Sequence, residues 1–176
     1  MLPKSTRNTV SGPRQNPTIV KAESSAVKAV ERVIAEHPFV RGLKPQHLRL
    51  LTDSAMRMRY EAGDLIFRED DPANRFYLIE QGRVSLESQA RDEAPVTVEV
   101  IGPGDVLGWS WLFPPYSWHF DALALEPTTA IFFYGTRLRG QCEHDHDFGF
   151  EMMKRITQVM IHRLQATRKK LPSIGR

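Results

Sequence analysis

The segment from Gly102 to Asp121 contains the side chains best suited to binding a small ligand, because it holds all three tryptophans of the chain. Its candidate pocket residues are Gly108, Trp109, Ser110, Trp111, Trp118 and His119. Indole rings stack on flat molecules, while a hydroxyl and an imidazole can orient a bound molecule by hydrogen bonds. No Lys or Arg occurs between Asp92 and Thr136. A cation for an anionic ligand must therefore come from another strand, where Arg83 and Arg75 are candidates.

Two interpretations of these aromatic residues remain open at this stage. In the first, Trp109, Trp111 and Trp118 fill the space of a former pocket and serve as core. In the second, they line a cavity for a flat or uncharged ligand that stacks on indole. His119 would then orient that ligand.

The other reactive residues do not form a catalytic or metal-binding pattern. The chain contains no nucleophile paired with a base, no carboxylates at a meaningful spacing and no Gly-Lys phosphate loop, so we expect no enzymatic activity. Cys142, His144 and His146 are donor types that zinc accepts. Their spacing matches no established zinc motif, however, and they precede a helix. We therefore predict no metal site and no bound cofactor.

The elements that must position the candidate pocket follow from periodicity. A helix is predicted from Ser24 to His37, and a second, shorter one begins near Pro45. After Ala55 the apolar period becomes two, and short strands are separated by glycine and proline turns. The predicted strands include 64–68, 75–80, 83–88, 96–101 and 122–125. A long helix returns from about Asp147, which makes the chain mainly β with flanking helices.

Charge is distributed unevenly along the chain of 176 residues. The net charge is +3, yet residues 1–22 and 163–176 together carry nine basic side chains and no acidic one. The body between them is therefore acidic, and any attraction to nucleic acid would come from the ends. We predict a disordered basic tail at 1–22, one domain at 23–170 and a short tail at 171–176. With no signal peptide and no membrane span in the sequence, a cytoplasmic location is expected.

Three motifs in order resemble the cyclic-nucleotide-binding domain of catabolite-activator-like regulators and of kinase regulatory subunits. They are Tyr60-Glu-Ala-Gly-Asp-Leu-Ile-Phe-Arg-Glu-Asp-Asp71, Phe76-Tyr-Leu-Ile-Glu-Gln-Gly-Arg-Val84 and Gly102-Pro-Gly-Asp-Val-Leu-Gly108. The resemblance covers roughly residues 37–165. It implies an antiparallel β-roll of jelly-roll type, with N-terminal helices and a long C-terminal helix.

The resemblance also implies what the tryptophan-rich segment replaces. In family members that bind cAMP, the turn after the equivalent of Gly108 carries a glutamate for the ribose and an arginine for the phosphate. Here Trp109 occupies the glutamate position, and Trp118 or His119 occupies the arginine position. A hydrogen bond to a charged group contributes roughly 1.5–3 kcal/mol, so cyclic nucleotides are a disfavoured ligand.

The last helix is the second candidate functional surface, because the corresponding helix of the bacterial regulators forms their dimer interface. Its apolar residues are Phe148, Met152, Met153, Ile156, Val159, Met160 and Leu164. This stripe either covers the chain's own β-roll or contacts a second copy or a partner protein. No DNA-reading domain is expected in the twelve residues after Leu164, so specific DNA binding is disfavoured.

We therefore predict a regulatory or sensor module that acts through a partner or a noncanonical ligand. The alternatives are a cAMP or cGMP receptor and a nucleic-acid binder that uses its basic tails.

Overall fold

The computed structural model describes residues 18–19, 24–88 and 94–170. Its helices are α1 (Ser24–Glu36), α2 (Pro45–Thr52), α3 (Gly135–His144) and α4 (His146–Lys170), with a 3₁₀ turn at Ser110–Leu112. Its strands are β1 (Thr18–Ile19), β2 (Met56–Tyr60), β3 (Leu65–Phe67), β4 (Arg75–Gln81), β5 (Val84–Ser88), β6 (Val96–Ile101), β7 (Val106–Leu107), β8 (Asp121–Ala124) and β9 (Thr128–Tyr134). None of the helices in the described ranges is long and apolar enough to cross a membrane.

The strands form two antiparallel sheets. One has the order β1-β2-β9-β4-β7 and the other the order β3-β8-β5-β6. Residues from both sheets meet in one apolar cluster, while the outer face of the first sheet packs against the helices in a second cluster. The predicted β-roll with N-terminal helices and a long C-terminal helix is therefore confirmed.

Strand β4 explains why the molecule has two cores. Its side chains alternate between the faces of the first sheet, as a strand requires. Phe76 and Leu78 join the cluster on the helical side, whereas Tyr77 and Ile79 join the cluster between the sheets. All four are almost completely buried. A central strand that is covered on both faces thus places the helices on one side of the first sheet and the second sheet on the other.

The structure adds two elements to the predicted order. Helix α3 lies directly between the last strand and α4, in a stretch for which the sequence predicted no element. Thr18 and Ile19, within the tail predicted to be disordered, pair with Arg59 and Met58 of β2. The rest of the predicted basic tail and the tail 171–176 lie outside the described residues. The basic residues from Arg163 to Lys170 belong to α4, and nucleic-acid binding by the two ends stays a prediction.

Candidate ligand-binding site

A cavity of about 460 Å³ lies beneath α4, at the surface of the β-roll. Its residues come from three parts of the chain: the two sheets, the segment 107–120 and one turn of α4. They are Phe67, Leu86, Leu107, Gly108, Trp109, Ser110, Phe113, Pro114, Trp118, His119, Phe120, Met160 and Arg163. The cavity is thus mostly apolar and aromatic. Its size lies within the range of about 300–1,000 Å³ that is usual for small-molecule sites.

Trp118 forms one aromatic wall and is held by two contacts. Its indole stacks on the ring of Phe67, with the ring centroids 3.9 Å apart and the planes 13° from parallel. Gly108 lies at the edge of the Trp118 indole. Its φ of +81° is a backbone conformation that residues with an L side chain rarely adopt. A Cβ atom on Gly108 would lie only 2.7 Å from the Trp118 ring. Glycine is therefore required here both by the backbone and by the close approach of the indole.

Trp109 and Arg163 form the wall on the side of α4. The Arg163 guanidinium lies 4.8 Å from the Trp109 ring centroid, in a cation–π contact. Its Nη2 donates a hydrogen bond to the carbonyl of Val106 at 2.6 Å, and its Nε lies 3.3 Å from a carboxylate oxygen of Glu99. Burial lowers the pKa of Arg163, while Glu99 opposes this shift. An arginine stays charged in this setting, so α4 brings a cation to the cavity.

The sequence analysis did not place Arg163 in the pocket. It lies 54 residues after Trp109 and was assigned to the basic C-terminal region. A signal was available in the helical spacing, because Arg163 follows Met152, Ile156 and Val159 at intervals of four, three and four residues. A basic residue that continues the buried stripe of a helix is expected to face the domain that the stripe covers.

Ser110 and His119 form the polar pair of the cavity. The Ser110 hydroxyl lies 3.1 Å from Nδ1 of His119, which is hydrogen-bonding distance. Ser110 is almost buried, whereas His119 is exposed. The pair offers a ligand one imidazole nitrogen and one hydroxyl. Gly108, Trp109, Ser110, Trp118 and His119 are thus brought together around one cavity, as the second interpretation of the aromatic residues requires.

Two of the predicted pocket residues lie elsewhere. Trp111 is fully buried in the core between the helices and the first sheet, because the 3₁₀ turn at Ser110–Leu112 directs it away from Trp109. Arg83 is largely exposed and pairs with Glu126 at 3.2 Å, so it supplies no charge to the cavity. For Trp111 the interpretation as core is therefore correct, and for both residues the assignment to the pocket is wrong.

Helix α4 divides the residues of the predicted partner surface between two faces. The inner face packs on the β-roll through Phe148, Met152, Ile156 and Val159, of which the first three are fully buried. These four cover the chain's own core, so their assignment to a partner surface is wrong. Met153 and Leu164 are exposed on the other side, and Met160 lies between the two faces, partly exposed and partly lining the cavity. The sequence analysis missed two exposed neighbours, Phe150 and Ile161.

The cysteine and histidines that were weighed for zinc lie in the helices α3 and α4, and Cys142 is partly buried. Burial raises the pKa of its thiol to about 11, so Cys142 is not an activated thiolate. In the described part of the chain, no three His, Cys, Asp or Glu side chains are grouped as metal ligands.

Two antiparallel sheets, a long closing helix and an aromatic cavity beneath that helix define a β-roll domain of the ligand-binding type. Comparison with known sequences identifies the family. The chain belongs to the cyclic nucleotide-binding domain family, whose sequence profile matches residues 57–145.

Individual relatives share the domain at low identity. A CRP-like cAMP-activated global transcriptional regulator of Mycobacterium tuberculosis is 22% identical over 145 residues, which are 82% of this chain and 63% of that protein. The chain thus spans less than two thirds of that regulator. A cyclic nucleotide-binding protein of Geobacter metallireducens superposes with a TM-score of 0.69 at 26% identity, covering 77% of this chain and 98% of its own. A cyclic nucleotide-binding domain from Methylobacillus flagellatus superposes with a TM-score of 0.73 at 14% identity, covering 91% of both chains.

Proposed function

We propose that this chain is a non-catalytic cytoplasmic sensor that binds a small molecule other than a cyclic nucleotide and signals through α4. One observation carries the proposal. Met160 and Arg163 of α4 form one wall of the cavity, while the adjoining residues Ile161 and Leu164 lie exposed on the opposite side of the same helical turn. A ligand in the cavity therefore contacts the helix whose outer face is available to a partner.

The lining of the cavity argues against a cyclic nucleotide. Trp109 presents an indole where the family resemblance places a glutamate for the ribose. Arg163 is the one Lys or Arg that lines the cavity among the described residues. A buried sugar hydroxyl without a hydrogen-bond partner costs about 1–3 kcal/mol in proteins. Ser110 and His119 are too few polar groups to accommodate a ribose and a phosphate together.

The outer face of α4 fits a second copy of the chain. Its exposed apolar side chains Phe150, Met153, Met160 and Leu164 follow one another at intervals of three, seven and four residues, and Ile161 lies next to Met160. Together they form a narrow stripe like the apolar seam of a two-stranded coiled coil. From Phe150 to Leu164 this stripe extends over about 21 Å of the helix, or roughly two heptads.

Sedimentation analysis tests the partner part of this proposal. The wild-type chain is expected to sediment as a dimer, and Leu164→Glu as a monomer, because a charge would be buried in the seam. Gln158→Glu is the matched control, since it adds the same charge on α4 outside the stripe and should leave the dimer intact. A wild-type chain that stays monomeric at high concentration contradicts the assignment of a second copy as partner.

The relative from Mycobacterium tuberculosis supports one alternative, since its name describes it as cAMP-activated. Calorimetric titration with cAMP and cGMP decides between the two ligands. Saturable binding at micromolar concentration, lost in a Trp109 variant, would establish a cyclic-nucleotide receptor and reject the noncanonical ligand. Absence of binding at millimolar concentration is the result that we expect.

A further inference from the structure

The chemical class of the ligand can be inferred further, on the basis of the proposed function in which this cavity is the binding site. We propose that it takes a planar aromatic molecule that carries one carboxylate and no sugar. Three properties of the site carry this assignment: the aromatic rings in its lining, the hydrogen bonds that Arg163 makes and the apolar character of the remaining walls.

The rings of the cavity favour a flat ligand. Phe67 and Trp118 are stacked nearly parallel, and both rings belong to the lining of the cavity. The ring of Trp109 contacts the guanidinium of Arg163, a residue of α4. Phe113 and Phe120 add two further rings to the lining. Aromatic groups prefer offset stacked or edge-to-face contacts, which a planar ring system can form with several of these side chains at once.

The contacts that Arg163 already makes favour a ligand with one negative charge. Its Nη2 is used by the carbonyl of Val106, and its Nε faces Glu99. Among the described residues, no protein group accepts a hydrogen bond from its Nη1. This nitrogen can donate to one charged acceptor of a ligand. The carboxylate of Glu99 lies 3.3 Å from Nε, so repulsion from it grows with each negative charge on the ligand, and one carboxylate is favoured over two.

The remaining walls disfavour a sugar. Leu86, Leu107, Pro114 and Met160 offer no side-chain hydrogen-bond partner. Polar groups that enter such surroundings lose their hydration and gain nothing in return. The cavity of about 460 Å³ accommodates a compact ring system with one carboxylate, and the polar pair of Ser110 and His119 lies within the same lining.

The probe for this proposal is naphthoate, a fused pair of aromatic rings with one carboxylate. Naphthamide is its uncharged control, cyclohexane carboxylate its non-planar control, and cAMP the family's ligand. Binding is followed by ¹H–¹⁵N correlation spectra of the three indole N–H groups, assigned with Trp→Phe variants. We expect naphthoate to shift the signals of Trp109 and Trp118, while Trp111, which is buried outside the cavity, serves as an internal reference.

Affinities measured by calorimetry then test the role of the charge. Naphthoate should bind about tenfold or more tightly than naphthamide, the difference expected for one hydrogen bond to a charged group. Arg163→Met should abolish this preference. Arg155→Met is the matched control, because Arg155 lies two turns earlier on α4 and binds the carbonyls of Phe39 and Arg41 outside the cavity. It should leave the preference unchanged.

The outcomes separate this inference from the proposed function. Equal binding of naphthoate and naphthamide, tighter binding of cyclohexane carboxylate than of naphthoate, or no indole shift at millimolar naphthoate overturns the ligand class. Shifts with cAMP alone overturn the ligand class and leave a cyclic-nucleotide sensor. Naphthoate that binds as expected, in a chain whose sedimentation and α4 hydrogen exchange do not respond to it, supports the ligand class and contradicts signalling through α4.

Discussion

Replacement of Gly108 by alanine tests whether Trp118 is held against the backbone as described. Two costs are expected. A non-glycine residue at a φ of +81° costs about 1–2 kcal/mol. In addition, the new Cβ atom would lie 2.7 and 2.8 Å from two carbons of the Trp118 ring, and overpacking of this kind costs about 1–3 kcal/mol. The free energy of unfolding should therefore fall by about 2–5 kcal/mol.

Gly63→Ala is the matched control for the backbone cost. Gly63 has a similar φ of +88°, but a Cβ atom there would meet no atom within 4 Å. Its replacement should cost about 1–2 kcal/mol, so the difference between the two variants isolates the contact with Trp118. Urea denaturation followed by circular dichroism measures both losses.

A double variant tests the contact between Gly108 and Trp118 directly. Trp118→Phe removes the two ring carbons that Gly108→Ala would approach, so alanine at position 108 should cost about 1–3 kcal/mol less in that background. Equal losses for Gly108→Ala and Gly63→Ala, or strict additivity with Trp118→Phe, would refute the claim that the indole and the glycine backbone are in contact.

Three further predictions concern stability. Trp111→Ala should cost about 3–5 kcal/mol, because this side chain is fully buried in the core. Met152→Ala should cost about 2–5 kcal/mol, whereas Met153→Ala, one residue later on the outer face of α4, should cost less than about 0.5 kcal/mol when both are measured in the monomeric Leu164→Glu background. Burial lowers the pKa of His37 below its ordinary value of 6.5, so the unfolded chain binds more protons and stability falls as the pH drops below that value. This loss, absent in His37→Asn, is at most about 1.4 kcal/mol per pH unit.

Denaturant titrations check all three, and each has its own contradicting result. A loss for Trp111→Ala below about 1 kcal/mol would mean that this indole is not core. Similar losses for Met152→Ala and Met153→Ala would mean that the orientation of α4 is wrong. If His37→Asn and the wild-type chain lose the same stability between about pH 7.5 and pH 5.5, the burial of His37 does not hold it neutral.

The sequence predicted the fold well because its signals are local. The change from helical to alternating periodicity after Ala55 and the glycine turns at Gly63, Gly82 and Gly104 depend only on neighbouring residues. In the structure these three glycines have a positive φ, which explains why the turns were visible in the sequence. Helix α3 was missed because its ten residues are mostly polar and carry little periodic signal.

The site was harder to predict because its geometry depends on contacts between distant residues. Trp109 and Trp111 are two residues apart, yet the intervening 3₁₀ turn places one at the cavity and the other in the core. Arg163 reaches the cavity only because α4 returns across the β-roll. The sequence did not separate the inner from the outer apolar residues of α4, because apolar residues occupy both sides of this helix. Their spacing alone does not show which side the β-roll covers.

The origin of Arg163 on α4 has a consequence for ligand selectivity. The stretch from Asp92 to Thr136, which contributes most of the aromatic lining, has no Lys or Arg. Arg163→Met would keep these rings but remove the one Lys or Arg that lines the cavity in the described ranges, and under the proposed ligand class it would then favour neutral aromatic molecules over acids. If the proposed ligand class is correct, its preference for an acid depends on α4 and the β-roll together, so charge selectivity would report whether that helix is in place.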